Sequence, residues 1–217
     1  GADKMNYPEK RELMFEACLG GMDRELAEAQ LERQLELSAG LDLPPEARAD
    51  TGQRSIFMDS YAAMARHHMA LFGTTREQIA AIASKNHWHS QFNPMAQYRT
   101  PMTIDEVLAD KPISWPLTRA MCAPISDGAG ALILASESAL KRFGASRAVK
   151  VLATQLASGV TREPDDLERH VGRIAAIKAW EQAGIGPDEI SVAEVHDATP
   201  FAEIRHMDNR GHCGVGV

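Results

Sequence analysis

Cysteine is scarce in this chain. The three present, Cys18, Cys122 and Cys213, are odd in number and show no paired spacing, which excludes a disulfide framework. Free thiols suit a reducing compartment, so the expected location is the cytoplasm. Basic clusters are also missing. With 23 Lys and Arg against 30 Asp and Glu, the net charge is −7, the wrong sign for neutralising phosphates, and no nucleic-acid partner is expected. No apolar run approaches the roughly 20 residues that a spanning helix needs, which leaves no expected membrane partner. The opening Gly1-Ala2-Asp3-Lys4-Met5-Asn6 has no charged-then-apolar signal pattern. It also has no leading methionine, as expected of a piece of a longer protein. No Cys-x-x-Cys or His-Glu-x-x-His completes a metal site around His67, His68, His87 and His89, so no metal is expected.

What is present is an apolar content of 44%, enough for one large core or two modest ones. Residues 9–37 predict one or two surface helices broken at Gly20-Gly21, with Asp23 placed to cap the second. Pro44-Pro45 puts residues 38–53 in a surface loop. The Ala- and Met-rich stretch 56–71 predicts a helix ending at Gly73. Its methionines, Met58, Met64 and Met69 among them, read as core fillers. Thr74 or Thr75, with Glu77 and Gln78, predicts a capping box opening a helix whose buried stripe holds Ile79, Ile82 and Ala83. Asn93-Pro94 and Thr100-Pro101 mark irregular chain. Thr103 then caps a short helix, and Lys111-Pro112 and Trp115-Pro116 close that region.

The pattern changes near residue 125. After the Ser126-Asp127-Gly128 turn, residues 129–135 form a small-apolar run that predicts a strand buried on both faces. A helix over 136–143, a strand over 149–156, a helix over 167–183 and a strand over 190–195 follow. Alternating strands and helices indicate α/β layering. The expected organisation is therefore a helix-rich part over 1–125 and an α/β part over 126–217.

His196-Asp197 is the most informative pair, because it directly follows an expected buried strand, where α/β folds gather their ligands. An imidazole there can donate a hydrogen bond, or hold a water, near a developing oxyanion. The aspartate could orient the ring, or turn away to cap the next helix. Cys122 reads as a buried, inert thiol with no base beside it. His212-Cys213 does not read as a nucleophile pair, since adjacent side chains rarely face each other. Gly214-Val215-Gly216 opens no helix that could cradle a phosphate.

Four stretches, in this order, resemble the thiolase superfamily and in particular its sterol-carrier-protein-like branch. Residues 72–80 (Phe-Gly-Thr-Thr-Arg-Glu-Gln-Ile-Ala), then Lys85-Asn86-His87 and Asn93-Pro94-Met95-Ala96-Gln97-Tyr98, look like that family's loop domain. Thr103-Ile104-Asp105-Glu106-Val107-Leu108 continues it. Residues 122–131, with Ser126-Asp127-Gly128-Ala129, resemble the entry to the last strand of the family's N-terminal half. Glu194-Val195-His196-Asp197, running on to Phe201-Ala202-Glu203-Ile204, resembles the loop where other thiolases carry Asn-Glu-Ala-Phe and this branch carries His-Asp. Ala198-Thr199-Pro200 departs from the more usual Cys-Phe after that pair.

The resemblance implies a layered αβαβα fold, present here as the loop domain and the start of the C-terminal half. It implies an acyltransferase acting on coenzyme A thioesters, by thiolysis of a 3-oxoacyl thioester or the reverse condensation. Coenzyme A is then a substrate rather than a resident cofactor. His196 is the one residue that inherits a role, in the oxyanion hole. The family's nucleophilic cysteine, its Gly-His-Pro histidine and its second cysteine match nothing in this chain, and no such role passes to Cys18, Cys122, Cys213 or His212. A homo-oligomer and a small accessory protein are the implied partners. A thiolase-fold lyase acting on steroid side-chain thioesters, or an inactive thiolase-like subunit, is the alternative.

Overall fold

The computed structural model describes residues 1–4, 6–19, 23, 25–48, 55–144, 146–163 and 166–210. The expected Gly20-Gly21 break, and His212, Cys213 and Gly214-Val215-Gly216, lie outside them. The chain opens with β1 (Ala2–Asp3), α1 (Arg11–Leu19) and α2 (Ala27–Glu36). Asp23 does not cap α2: Leu26 holds that position, and the Asp23 carboxylate accepts the Glu25 N–H at 3.0 Å in the turn before it. Pro45–Arg48 forms a short 3-10 turn within the expected loop.

Two longer helices follow, α3 (Ile56–Phe72) and α4 (Arg76–Ser90). Gly73 ends α3 at φ 72°, a left-handed conformation that costs a glycine little. Thr75, not Thr74, opens α4, and its hydroxyl and the Gln78 side chain make the reciprocal bonds of a capping box. Thr103 and Glu106 do the same for α5 (Ile104–Ala109). A small hairpin, β2 (Pro112–Ser114) and β3 (Leu117–Thr118), turns through the cis Trp115–Pro116 bond and packs under α5, where the Thr118 hydroxyl donates to the Val107 carbonyl at 2.7 Å.

The core lies between these elements. Ala62 and Ala65 of α3, Ile79, Ala80 and Ala83 of α4, Val107 of α5, Leu117 and Met121 form one cluster. Its largest fully buried member is Phe201, contributed from the far end of the chain by α8 (Pro200–Arg210). α4 packs most closely against α5 and α8, with the alanines Ala80 and Ala83 buried on it, and the larger side chains complete the cluster. Ile82, expected in the stripe, is half-buried, and Ala80 takes its place.

Strand pairing differs from expectation. β1 pairs antiparallel with β4 (Gly128–Ala129), Ala2 opposite Ala129, and Gly1 and Gly130 exchange two further bonds at 2.9 Å. Beyond that ladder, residues 131–135 carry no strand, and Ile133 is 95% exposed. Residues 149–156 and 190–195 are likewise unpaired, with Val149, Leu156 and Val192 exposed. Their apolar sequences suit buried strands, but a strand needs a neighbour to satisfy its backbone, and among the described residues none lies beside them. Residues 149–156 are tied along α7 (Val171–Ala183), where the Thr154 N–H and the Gln155 amide donate to Gln182 Oε1 at 3.3 and 2.6 Å. Ser136 caps α6 (Glu137–Phe143), as expected of the helix there.

α7 starts at Val171, later than the expected residue 167, because His170 caps it: its Nδ1 accepts the Gly172 N–H at 3.1 Å. Burial first, then the charges of Arg162, Arg205 and His206, lower this imidazole to about 4. An unfolded chain takes up that proton below about pH 6.5, while the folded one resists until about pH 4. Stability from this group is therefore lost as pH falls through that window. His170→Asn keeps a capping acceptor and removes the titration. Its urea midpoint is expected to drop less than that of the unaltered chain between about pH 7 and about pH 5. Equal drops would mean that His170 is not the source.

Candidate functional site

The last turn and a half of α4 presents Lys85, Asn86 and His87 toward the start of α8. The segment 119–126 forms a wall beside them. Two bonds fix that wall. His87 Nε2 lies 3.0 Å from the Ala120 carbonyl, which only accepts, so this nitrogen carries the proton. The Ala123 N–H donates to the Ala198 carbonyl at 3.0 Å, tying the wall to the loop that holds His196 and Asp197. Ser126 hydrogen-bonds the Gln97 side chain on another side. Between these parts lies an open cavity of about 320 Å³, lined among others by Asn86, His87, Tyr98, Cys122 and Asp197.

The Asp197 carboxylate reaches α4. The Asn86 Nδ2 donates to Asp197 Oδ2 at 2.8 Å and to Glu203 Oε2 at 3.3 Å. The Lys85 ammonium pairs with the other oxygen of Glu203. Burial pushes the Asp197 carboxyl above its ordinary range, and the nearby Glu203 charge pushes it further. His196 is exposed, and its ring has no hydrogen-bond partner among the described residues. The cavity is thus lined by the aspartate of the pair, with the histidine one residue outside the lining.

Cys122 also lines the cavity, but its thiol donates to the Thr118 carbonyl at 3.3 Å. Burial, with the Asp110 charge, raises it to about 11, so at neutral pH it is a protonated, weak nucleophile. The other histidines are engaged elsewhere. His67 Nδ1 donates to the Leu37 carbonyl at 3.1 Å. His68 is buried, with Nδ1 2.9 Å from the Thr74 hydroxyl and Nε2 3.3 Å from Asp208 of α8. Among the described residues no three His, Cys, Asp or Glu side chains gather as metal ligands. No described helix is long and apolar enough to cross a membrane.

Asn86, Lys85 and Glu203 are the residues to which sequence reading assigned no role. Each stood inside a stretch that resembled the family, but the structure alone brings them together, across 111 residues from Asn86 to Asp197.

No family model matches the chain. Curated relatives do match. The benzoylsuccinyl-CoA thiolase subunit BbsB of Thauera aromatica is 31% identical over 169 residues, covering 77% of this chain and 44% of the relative. Human sterol carrier protein 2 is 37% identical over 158 residues, 70% of this chain and 29% of the relative. The acetyl-CoA acetyltransferase of Methanothermobacter thermautotrophicus is 36% identical over 160 residues, 71% of this chain and 41% of the relative. The chain thus spans less than half the length of each. Among solved structures, the Ltp2-ChsH2(DUF35) aldolase superposes over 90% of this chain and 48% of its own, with a TM-score of 0.63 and 21% identity, a likeness of fold. The fold is thus thiolase-like, while the layered sheets expected over 126–217 do not form among the described residues, which hold two short antiparallel ladders. With the curated matches covering 70% or more of its length, the chain belongs to the thiolase superfamily.

Proposed function

We propose that the protein containing this stretch is an acyltransferase on coenzyme A thioesters, cleaving a 3-oxoacyl thioester with coenzyme A or running the reverse condensation. The observation that carries this reading is the packing of the His196-Asp197 loop beside the Lys85-Asn86-His87 end of α4, on an open cavity. Both stretches are ones by which the sequence resembles thiolases, and here they meet.

In this reading a cysteine of the family's N-terminal half attacks the 3-oxo carbonyl, the C2–C3 bond breaks, and the shortened thioester leaves as an enolate that takes up a proton. The coenzyme A thiol then takes the acyl group from the acyl–enzyme. Cys122 is not that nucleophile, because its thiol keeps its proton. The part taken by this stretch is electrostatic. His196 donates a hydrogen bond to the oxygen on which negative charge grows, directly or through a water. Residues 56–115 cover the coenzyme A side. The boundary near residue 125 separates that cover from the part that continues the layered fold. The uncovered apolar segments at 131–135 and 149–156 support assembly with further strands, in a homo-oligomer or with an accessory protein.

The test is thiolysis of acetoacetyl-CoA and of a longer 3-oxoacyl-CoA by the full-length protein, followed by loss of the enolate absorbance. Turnover, with an acyl–cysteine trapped by mass spectrometry, is the expected result. Retro-aldol cleavage of a 3-hydroxyacyl thioester with no acyl–cysteine would favour the lyase. Neither activity would favour a subunit without chemistry of its own.

A further inference from the structure

We infer that Asn86 is the positioning residue of the His196-Asp197 loop: its amide ties the Asp197 carboxylate to α4 and so fixes the loop that carries His196. The inference rests on the acyltransferase reading for its functional consequence, and on geometry alone for the clamp itself.

The atoms leave little freedom. Carboxylate oxygens accept and do not donate, so the amide nitrogen of Asn86 is the atom that faces both Asp197 and Glu203, at 2.8 and 3.3 Å. Glu203 is held in turn by Lys85, the preceding residue on α4. Lys85 therefore balances Glu203, and Asp197 receives a neutral donor. A neutral donor orients a carboxylate without cancelling its charge. A lysine at this distance would have cancelled it. The same chain segment is pinned from its other side by the Ala123–Ala198 backbone bond at 3.0 Å, and Phe201 anchors the helix that follows.

His196 immediately precedes Asp197, so holding the Asp197 carboxylate holds the backbone that carries the imidazole. Released from Asn86, the loop would lose this tie to α4, and the donor it carries would be placed less firmly.

The experiment uses three forms of the full-length protein, unaltered, Asn86→Leu and Asn86→Gln. Leucine keeps the volume and loses the donor, while glutamine keeps an amide donor on a longer arm. Two readouts are taken: thiolysis kinetics, and the Asp197 carboxyl titration by carbon NMR, assigned from the signal missing in Asp197→Asn. With Asn86→Leu, kcat is expected to fall about 5–10-fold with KM within about twofold, since positioning acts on the transition state. The Asp197 midpoint should rise by about half to one pH unit, because a bond to the charged form is gone. Asn86→Gln should recover part of both, with urea midpoints showing all forms folded. An unmoved midpoint in Asn86→Leu would overturn the clamp. A moved midpoint with unchanged kcat would overturn its role in positioning. If the unaltered protein shows no thiolysis, the acyltransferase reading fails, and the midpoint alone decides whether Asn86 holds Asp197.

Discussion

Phe201→Ala is expected to lower the unfolding free energy by about 3–5 kcal/mol, the usual cost of emptying a buried phenylalanine site. Phe201 is fully buried and joins α8 to the cluster built by α3, α4, α5 and β3. Its ring stands edge-on to His68 at 5.5 Å, and His68 also meets Asp208 in the last turn of α8 at 3.3 Å. α8 is thus held in its first turn by apolar contact and in its last by a buried polar pair. Alanines surround much of the ring, and their short side chains cannot reach into the space it leaves, so relaxation is limited. Ile133→Ala is the contrast. At 95% exposed, Ile133 has little to lose, and its substitution should stay within about 0.5 kcal/mol in this chain. Urea unfolding followed by far-UV circular dichroism measures both. A Phe201→Ala cost below about 1 kcal/mol would mean that α8 is not part of this core, and the site built on its first turn would go with it.

Features set by nearby residues were legible in the sequence. The capping box at Thr75/Gln78, the cap at Thr103 and the glycine stop at Gly73 each depend on residues within one turn of each other. Where two local signals competed, the reading slipped. Asp23 has the chemistry of a cap but spends it on Glu25, and His170 supplies a cap that starts α7 later than its apolar pattern suggested.

Non-local features were legible only in part. The apolar run 131–135 forms no strand, because pairing is a property of two segments, and Gly1–Asp3 finds its partner at 128–130. The cluster of Asn86, Asp197 and Glu203 has no periodicity to betray it, because its members come from different helices and from the loop between strand-like chain and helix. Resemblance picked out the stretches that contain all of them. It could not say which way Asp197 would turn, since that depends on a donor 111 residues away.

His196→Ala is expected to lower kcat for thiolysis by about 10²–10³-fold in the full-length protein, the range seen when one oxyanion-hole donor is removed. KM should change little, because the bond strengthens as charge moves onto the oxygen and is weak in the bound thioester. His196→Asn restores a neutral N–H donor on a shorter arm, the residue type that other thiolases carry in this loop, and should recover much of the loss. The size of the effect depends on closure. In this chain the ring is exposed, and a donor in water competes with solvent for the same oxygen. The large loss therefore belongs to a site closed by the rest of the protein. Loss of kcat in His196→Ala with recovery in His196→Asn identifies a donor to the reacting oxygen. An equal loss in both would point instead to proton transfer by the imidazole itself, since an amide can donate a hydrogen bond but cannot carry a proton from one group to another.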